Sequence, residues 1–181
     1  THSASSSIDV ALDKTLTYQG APLALGANTL TISGAGTLSN PNGFVLGDPL
    51  SVLKLSGTNT ISGPLSLDAG AIEVDESSKL SSDLTLGGSA TIDVALGKTL
   101  TYQGVSLSLG ANTLTISGAG TLLNTNALVL GDPLSVLKLS GTNTVSGPLS
   151  LNAGTIDVDE SSTLGSDLTL GGPVTIDVAL D

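Results

Sequence analysis

The sequence predicts an all-β fold: a right-handed parallel β-helix, or β-solenoid, with three strands per coil and about 21 residues per coil. Three observations carry that prediction. The segment 46–60, LGDPLSVLKLSGTNT, returns letter for letter at 130–144. Around it residues 8–91 and 92–175 match at about four positions in five, an 84-residue period of the kind that marks a stacked array. Within each period, apolar–polar–apolar triplets are broken by Gly, Asn, Pro or Ser, the alternation of short half-buried strands. Two families of apolar positions also keep a constant offset of eight residues, once per coil. A β-sandwich would not explain that offset, and no helical periodicity survives two turns.

Taken in order, residues 1–7 (THSASSS) are a polar leader. His2, the only histidine, reads there as part of a tail rather than as a ligand. Unit 1 spans 8–91 and unit 2 spans 92–175, each of four coils, and 176–181 begin a third unit with IDVALD. The first family of inward residues is Ile8/Val10, Leu30/Ile32, Leu53/Leu55 and Ile72/Val74, then Ile92/Val94 in the next unit. The second is Leu16, Leu38, Ile61, Leu80 and Leu100, each eight positions after the start of its first-family partner. The third is Leu23/Leu25, Phe44/Leu46, Leu65/Leu67, Leu84/Leu86 and Leu107/Leu109.

First-family spacings of 22, 23, 19 and 20 residues complete one unit. Such variation favours the right-handed coil over the strictly periodic hexapeptide kind. Each strand is expected to pair in parallel with its equivalent one coil away, so about eight and a half coils give a rod core of roughly 40 Å. Corners carry the turn residues: Ser33-Gly34, Ser56-Gly57, Ser62-Gly63-Pro64, Ala69-Gly70 and Gly87-Gly88. Gly47-Asp48-Pro49 opens the longest corner, and Leu50 is expected to tuck that loop onto the rod. Differences between units respect this register. Phe44/Leu128 and Ile61/Val145 stay apolar, whereas Asp13/Gly97, Asp68/Asn152, Lys79/Thr163 and Ser81/Gly165 fall at corners or outward sites.

Composition narrows function. Aliphatic residues are plentiful while Tyr18, Tyr102 and Phe44 are the only aromatics, so the chain can bury a core and is not disordered. Five lysines face sixteen acids, a net charge of −11. That balance argues against nucleic acid and against an anionic membrane surface as partners. Polar residues interrupt the apolar ones too often for insertion as a membrane helix. Without Cys there are no disulfides or thiolate metal sites. The chain opens on Thr1 rather than Met, which reads as processing or excision from something longer.

The segments Gly34 to Leu38 (GAGTL) and Leu53 to Val74 (LKLSGTNTISGPLSLDAGAIEV) resemble the autotransporter-associated β-strand repeats. More loosely, they resemble the filamentous-haemagglutinin-like passengers of giant bacterial surface proteins. The shared elements are GAGTL, the L-x-L-S-G-x-N turn, a following Gly, and Ala-Gly before the next strand, over about half of each unit. Ile61-Ser62-Gly63-Pro64 stands where that family usually has Tyr-Thr-Gly-Gly. The resemblance implies an exported, elongated right-handed β-helix at the bacterial cell surface, used in adhesion or as a stalk, with no catalytic residues to carry over.

No catalytic site residues and no cofactor or metal site are assigned. Enzymes on β-helices need Asp clusters, a basic residue and aromatic sugar platforms, and this chain has no Arg, few aromatics and scattered Lys. The best acidic cluster is Glu73, Asp75 and Glu76, repeated as Asp157, Asp159 and Glu160. The predicted outward stack on the first face is Asp9, Thr31, Lys54, Glu73, Asp93, Thr115, Lys138, Asp157, Asp177. It sets Glu73 beside Asp93 and Asp157 beside Asp177, like charges that Lys54 and Lys138, each flanking one acid, relieve in part. Ca²⁺ could relieve the rest, but solvated acids are the stronger reading. Thr15/Thr17 and Thr29/Thr31 are T-x-T pairs of the kind that order water in ice-binding proteins. They lie on different predicted faces, without continuous Thr ranks.

The sequence is therefore expected to encode a non-catalytic structural segment of a long extracellular rod, an adhesin stalk or filament shaft. Its expected partners are copies of itself end to end or the adjoining repeats of a longer chain. The alternative is an adhesin binding module that recognises a receptor or glycan through an outer face or corner loop.

Overall fold

The computed structural model describes residues 4–179. His2 and the last two residues of the third-unit motif lie outside the described residues. All regular elements described are strands, wound as a β-solenoid of stacked coils. Nine strands, from Ser6–Val10 to Thr175–Val178, form the first face, and eight, from Thr15–Thr17 to Thr163–Leu164, form the second. All pairing is parallel, each strand bonded to its equivalent one coil away. The reason is local. Strands of two to six residues alternate inward and outward side chains, and the intervening turns are too short for anything but the next face.

The interior is aliphatic. Leu30, Leu53, Ile72 and Ile92 stack in one inner column, at most 1 % exposed. Phe44 and Tyr102 are the largest side chains buried among them. Full burial of each such side chain is worth about 1.5–3 kcal/mol, repeated in every coil. Corner polar groups are tied to the neighbouring coil. Asn143 Nδ2 donates to the Ile116 carbonyl at 2.9 Å and Ser78 Oγ to the Gly57 carbonyl at 2.7 Å.

The register departs from expectation at defined places. Ile8 pairs with Ile32, not Leu30, and Ile92 with Ile116, not Leu114. On the second face Leu80 pairs with Tyr102, not Leu100, after which Leu100 pairs with Leu122. The cause is corner length. After Val10 and Val94 the chain makes a turn closed by Lys14 N–H to Ala11 O and Lys98 N–H to Ala95 O, both 3.0 Å. The turns are completed by Asp13 and Gly97 at φ 58° and 70°. After Gly34 only Ala35 and Gly36 intervene before the next strand. The extra residues are absorbed by a slip of two, which keeps every inward side chain inward; a slip of one would turn them out.

The third face differs more. A continuous ladder through Leu84/Leu86 and Leu107/Leu109 is expected, yet this face is two separate four-stranded sheets, broken between Leu84–Leu86 and Leu107–Ser108. The Leu50 expectation also fails: Leu50 and its copy Leu134 are exposed. Their corner is held instead by Ser51, fully buried, whose Oγ donates to Gly26 O at 2.6 Å and accepts from Asp48 N–H at 3.1 Å. Asp48 Oδ1 accepts from Leu50 N–H at 2.8 Å, an Asx turn that keeps the loop tight without apolar packing.

Gly63 sits at φ 124°, and a Cβ there would press into the Asn40 carbonyl of the coil before. Gly63→Ala is expected to cost about 2–4 kcal/mol, from strain and overpacking together. Gly47→Ala, where the nearest atom would be Val45 Cγ1 at 3.7 Å, should stay within about 0.5 kcal/mol. Urea denaturation of the two variants measures both.

Candidate interaction site

The chain presents three features able to meet something else: a charged outer face, two repeated corners, and the seam between units with the two coil ends that correspond to it. On the first face Glu73 lies beside Asp93 and Asp157 beside Asp177, as expected. The slip places Asp9 beside Ser33 and Asp93 beside Ser117, rather than beside Thr31 and Thr115. Both serines use this: Ser117 Oγ donates to Asp93 Oδ2 at 2.7 Å and Ser33 Oγ to Asp9 Oδ1 at 3.0 Å.

Each face lysine reaches two acids rather than one. Lys54 Nζ lies 3.2 Å from Glu73 Oε2 and 2.9 Å from Asp75 Oδ2; Lys138 Nζ lies 3.1 Å from Asp157 and 2.7 Å from Asp159. The hydrogen bond to Asp75 raises the Lys54 pKa, with burial opposing and Glu73 adding; Lys138 is raised chiefly by Asp159, then Asp157. Among the described residues no group of three or more acids or histidines is placed to hold a metal ion. Across the first corner Lys98 Nζ meets Glu76 Oε2 at 2.7 Å.

On the second face the pairing lines up outward threonines that the sequence spacing hides. Thr15, Thr37 and Thr60 form one run, which ends at Lys79; Thr99, Thr121, Thr144 and Thr163 form another, offset by two residues because Lys79 pairs with Thr101. The rank is broken at the seam, and the T-x-T pairs Thr15/Thr17 and Thr29/Thr31 lie on different faces, as expected. Exposed leucines mark the corners flanking the first face: Leu12 and Leu96 after its strands, Leu50 and Leu134 before them.

The seam between units is where the third face breaks. Tyr102 points inward in phase with Leu100, the two-residue slip sets it opposite Leu80, and its hydroxyl accepts the Leu84 N–H at 3.1 Å. In other coils the equivalent N–H donates to a backbone carbonyl, as Leu65 N–H does to Asp83 O at 2.9 Å. The tyrosine therefore takes the place of a strand carbonyl. Only a hollow of about 10 Å³ remains inside the seam. Asp83 Oδ1 accepts from Val105 N–H at 3.0 Å, and Ser77 Oγ from Thr99 N–H at 3.1 Å. Sequence reading offered one signal for this device: a tyrosine two residues after an inward leucine, in phase to point inward.

The equivalent residues of coil 1 are open. Leu16 and Tyr18 are 44 % and 42 % exposed, against 0 % and 2 % for Leu100 and Tyr102. An apolar hollow of about 260 Å³ lies there, lined by Ile8, Leu16, Tyr18, Leu23, Leu38 and Phe44. At the far end Leu168 is 40 % exposed, against 4 % for Leu84. No family model, no curated protein and no solved structure matches this chain.

Burial raises the Tyr102 pKa above its ordinary 10.0, the Leu84 N–H opposing and Asp83 adding. A raised folded-state value means that this stabilisation is whole below pH 10 and is lost as pH climbs past it. Tyr102→Phe should cost about 1–3 kcal/mol at neutral pH by orphaning the Leu84 N–H, and should flatten the alkaline fall in stability. Denaturation at pH 7 and pH 11 measures both. Lys54→Met should lower stability by about 0.5 kcal/mol once solvent screening is counted. That difference should shrink between low salt and 1 M salt, as followed by thermal melts.

Proposed function

We propose that this chain is a non-catalytic structural segment of an extended rod outside the cell, of the adhesin-stalk or filament-shaft type. The observation that carries the reading is the seam. First-face and second-face ladders run through it unbroken, and at the broken third face Tyr102 Oη takes up the Leu84 N–H, so the units form one continuous stack. A chain so made extends along one axis by adding units, and its parts contact only their neighbours. The resemblance to autotransporter-type repeats supports a cell-surface setting, and the acidic surface suits a solvated shaft.

A second reading is favoured by one observation: Leu12, Leu50, Leu96 and Leu134 stand exposed at corners that recur with each unit. A binding module for a receptor or glycan would use such corners with the face between them. Glycan-array and cell-binding assays of the chain separate the two. A shaft is silent in them, whereas a binding module gives signal that Leu50→Ser with Leu134→Ser abolishes. Negative-stain microscopy tests the rod itself: each chain should appear as a rod about 40 Å long along the coil axis, and round particles would sink the reading.

A further inference from the structure

The corner between the third face and the first carries the two Asp-Pro bonds of the sequence, Asp48-Pro49 and Asp132-Pro133, 84 residues apart. Such a bond is chemically weak for two reasons. The aspartate carboxyl can close a five-membered ring on its own backbone carbonyl. The leaving group is the tertiary nitrogen of proline, which takes up a proton more readily than an ordinary amide nitrogen.

In this corner the reacting groups are held in place. Leu50 N–H donates to Asp48 Oδ1 at 2.8 Å, which fixes the carboxyl against the backbone it would attack. Ser51 N–H donates to Asp48 O at 2.8 Å, so the carbonyl already has a donor where negative charge would develop. Asp48 N–H donates in turn to Ser51 Oγ at 3.1 Å, and Ser51 is fully buried and tied to Gly26 O. The next coil presses from the other side: a Cβ on Gly70 would lie 2.9 Å from Asp48 O. Pro49 and Leu50 stand exposed, so water reaches the bond. Unit 2 repeats each hydrogen bond. Leu134 N–H donates to Asp132 Oδ1 at 2.8 Å, Ser135 N–H to Asp132 O at 2.9 Å, and Asp132 N–H to Ser135 Oγ at 3.1 Å.

We propose that this corner is a self-cleavage site, cutting the chain after Asp48 and after Asp132 in mild acid. The protonated carboxyl of Asp48 attacks its own backbone carbonyl carbon and forms a C–O bond. The C–N bond to Pro49 breaks, and the carboxyl proton passes to the proline nitrogen, leaving a cyclic anhydride on Asp48. Water opens the anhydride. Asp48 then ends the chain with two carboxyl groups and Pro49 begins a new one with a free amine; one water is consumed and nothing is oxidised or reduced. What the fold adds is position, holding near its reactive geometry an attack that a flexible chain makes only in passing. The cut falls between Phe44–Leu46 and Val52–Leu55, both paired with neighbouring coils, so the new ends stay side by side. The reaction needs the corner alone and proceeds alike in a shaft or in a binding module.

The test incubates the full chain at the lowest pH that leaves its β circular-dichroism signal intact, and again at that pH unfolded in urea. Mass spectrometry under denaturing conditions identifies the pieces. The folded chain should release the 84-residue piece 49–132 about tenfold faster than the unfolded one. Asp48→Asn should abolish the cut after residue 48 and leave the cut after Asp132 as an internal control. Leu50→Pro removes the N–H that holds the carboxyl; it should slow the cut after Asp48 about tenfold and leave the Asp132 cut unchanged. Should Leu50→Pro fail to fold, the urea comparison decides the matter. Cutting no faster in the folded chain overturns the proposal, because the corner then adds nothing to the weakness of the bond. Continued cutting after residue 48 in Asp48→Asn overturns it as well. So do equally fast cuts after Asp68 or Asp83, which precede Ala69 and Leu84 rather than proline.

Discussion

Everything in this molecule depends on parallel backbone hydrogen bonding along a single axis. A strand of two to six residues has too few bonds and too little buried surface to stand by itself. It persists because equivalent strands lie above and below. That demand fixes what each coil must supply: an inward residue at the right parity on each face, and corners that bring the chain round without leaving backbone groups unpaired. The buried serines and asparagines at the corners meet the second requirement, most plainly Ser51 and Ser135, whose hydroxyls donate to Gly26 and Gly110.

The same axial order has an electrostatic consequence. Coils stacked in parallel bring the side chains of neighbouring coils close together on the outside as well as the inside, which suits leucine but is unfavourable where acid meets acid, as at Glu73/Asp93 and Asp157/Asp177. The acids of the first face are managed by local substitution of neighbours. Lys54 and Lys138 each hold two carboxylates, and Ser33 and Ser117 give hydroxyl donors to Asp9 and Asp93. The two-residue slip is what delivers those serines to those aspartates. A feature that looks like an irregularity of winding is therefore also part of how the charged surface is tolerated.

Much of this architecture was legible in the sequence, and the illegible parts share one cause. The inward leucines, isoleucines and valines announced themselves by alternation, and the constant offset of eight located the first corner of every coil. That offset measures distance along the chain between two apolar residues; it does not measure how many residues the corner consumes. Coils beginning at Ile8 and Leu30 share the offset but turn through Ala11–Lys14 in one case and through Ala35 and Gly36 in the other. The pairing differs accordingly. Tyr102 was hidden by the same ambiguity, since only the slipped register points it at Leu80. Leu50 failed for another reason: hydrophobicity suggested packing, while the Asp48 and Ser51 hydrogen bonds already satisfied the loop. The threonine runs needed the pairing of second-face strands, which spacing within one coil cannot supply.

The seam carries a last implication, for heredity rather than for mechanics. Because each unit meets the next through contacts that the neighbouring unit repeats, a copy inserted or removed whole leaves every remaining contact as it was. Near-identical tandem copies are also the substrate on which unequal recombination acts. In a gene built this way, length can change in a single event by one 84-residue increment, without any new residue having to learn a new neighbour.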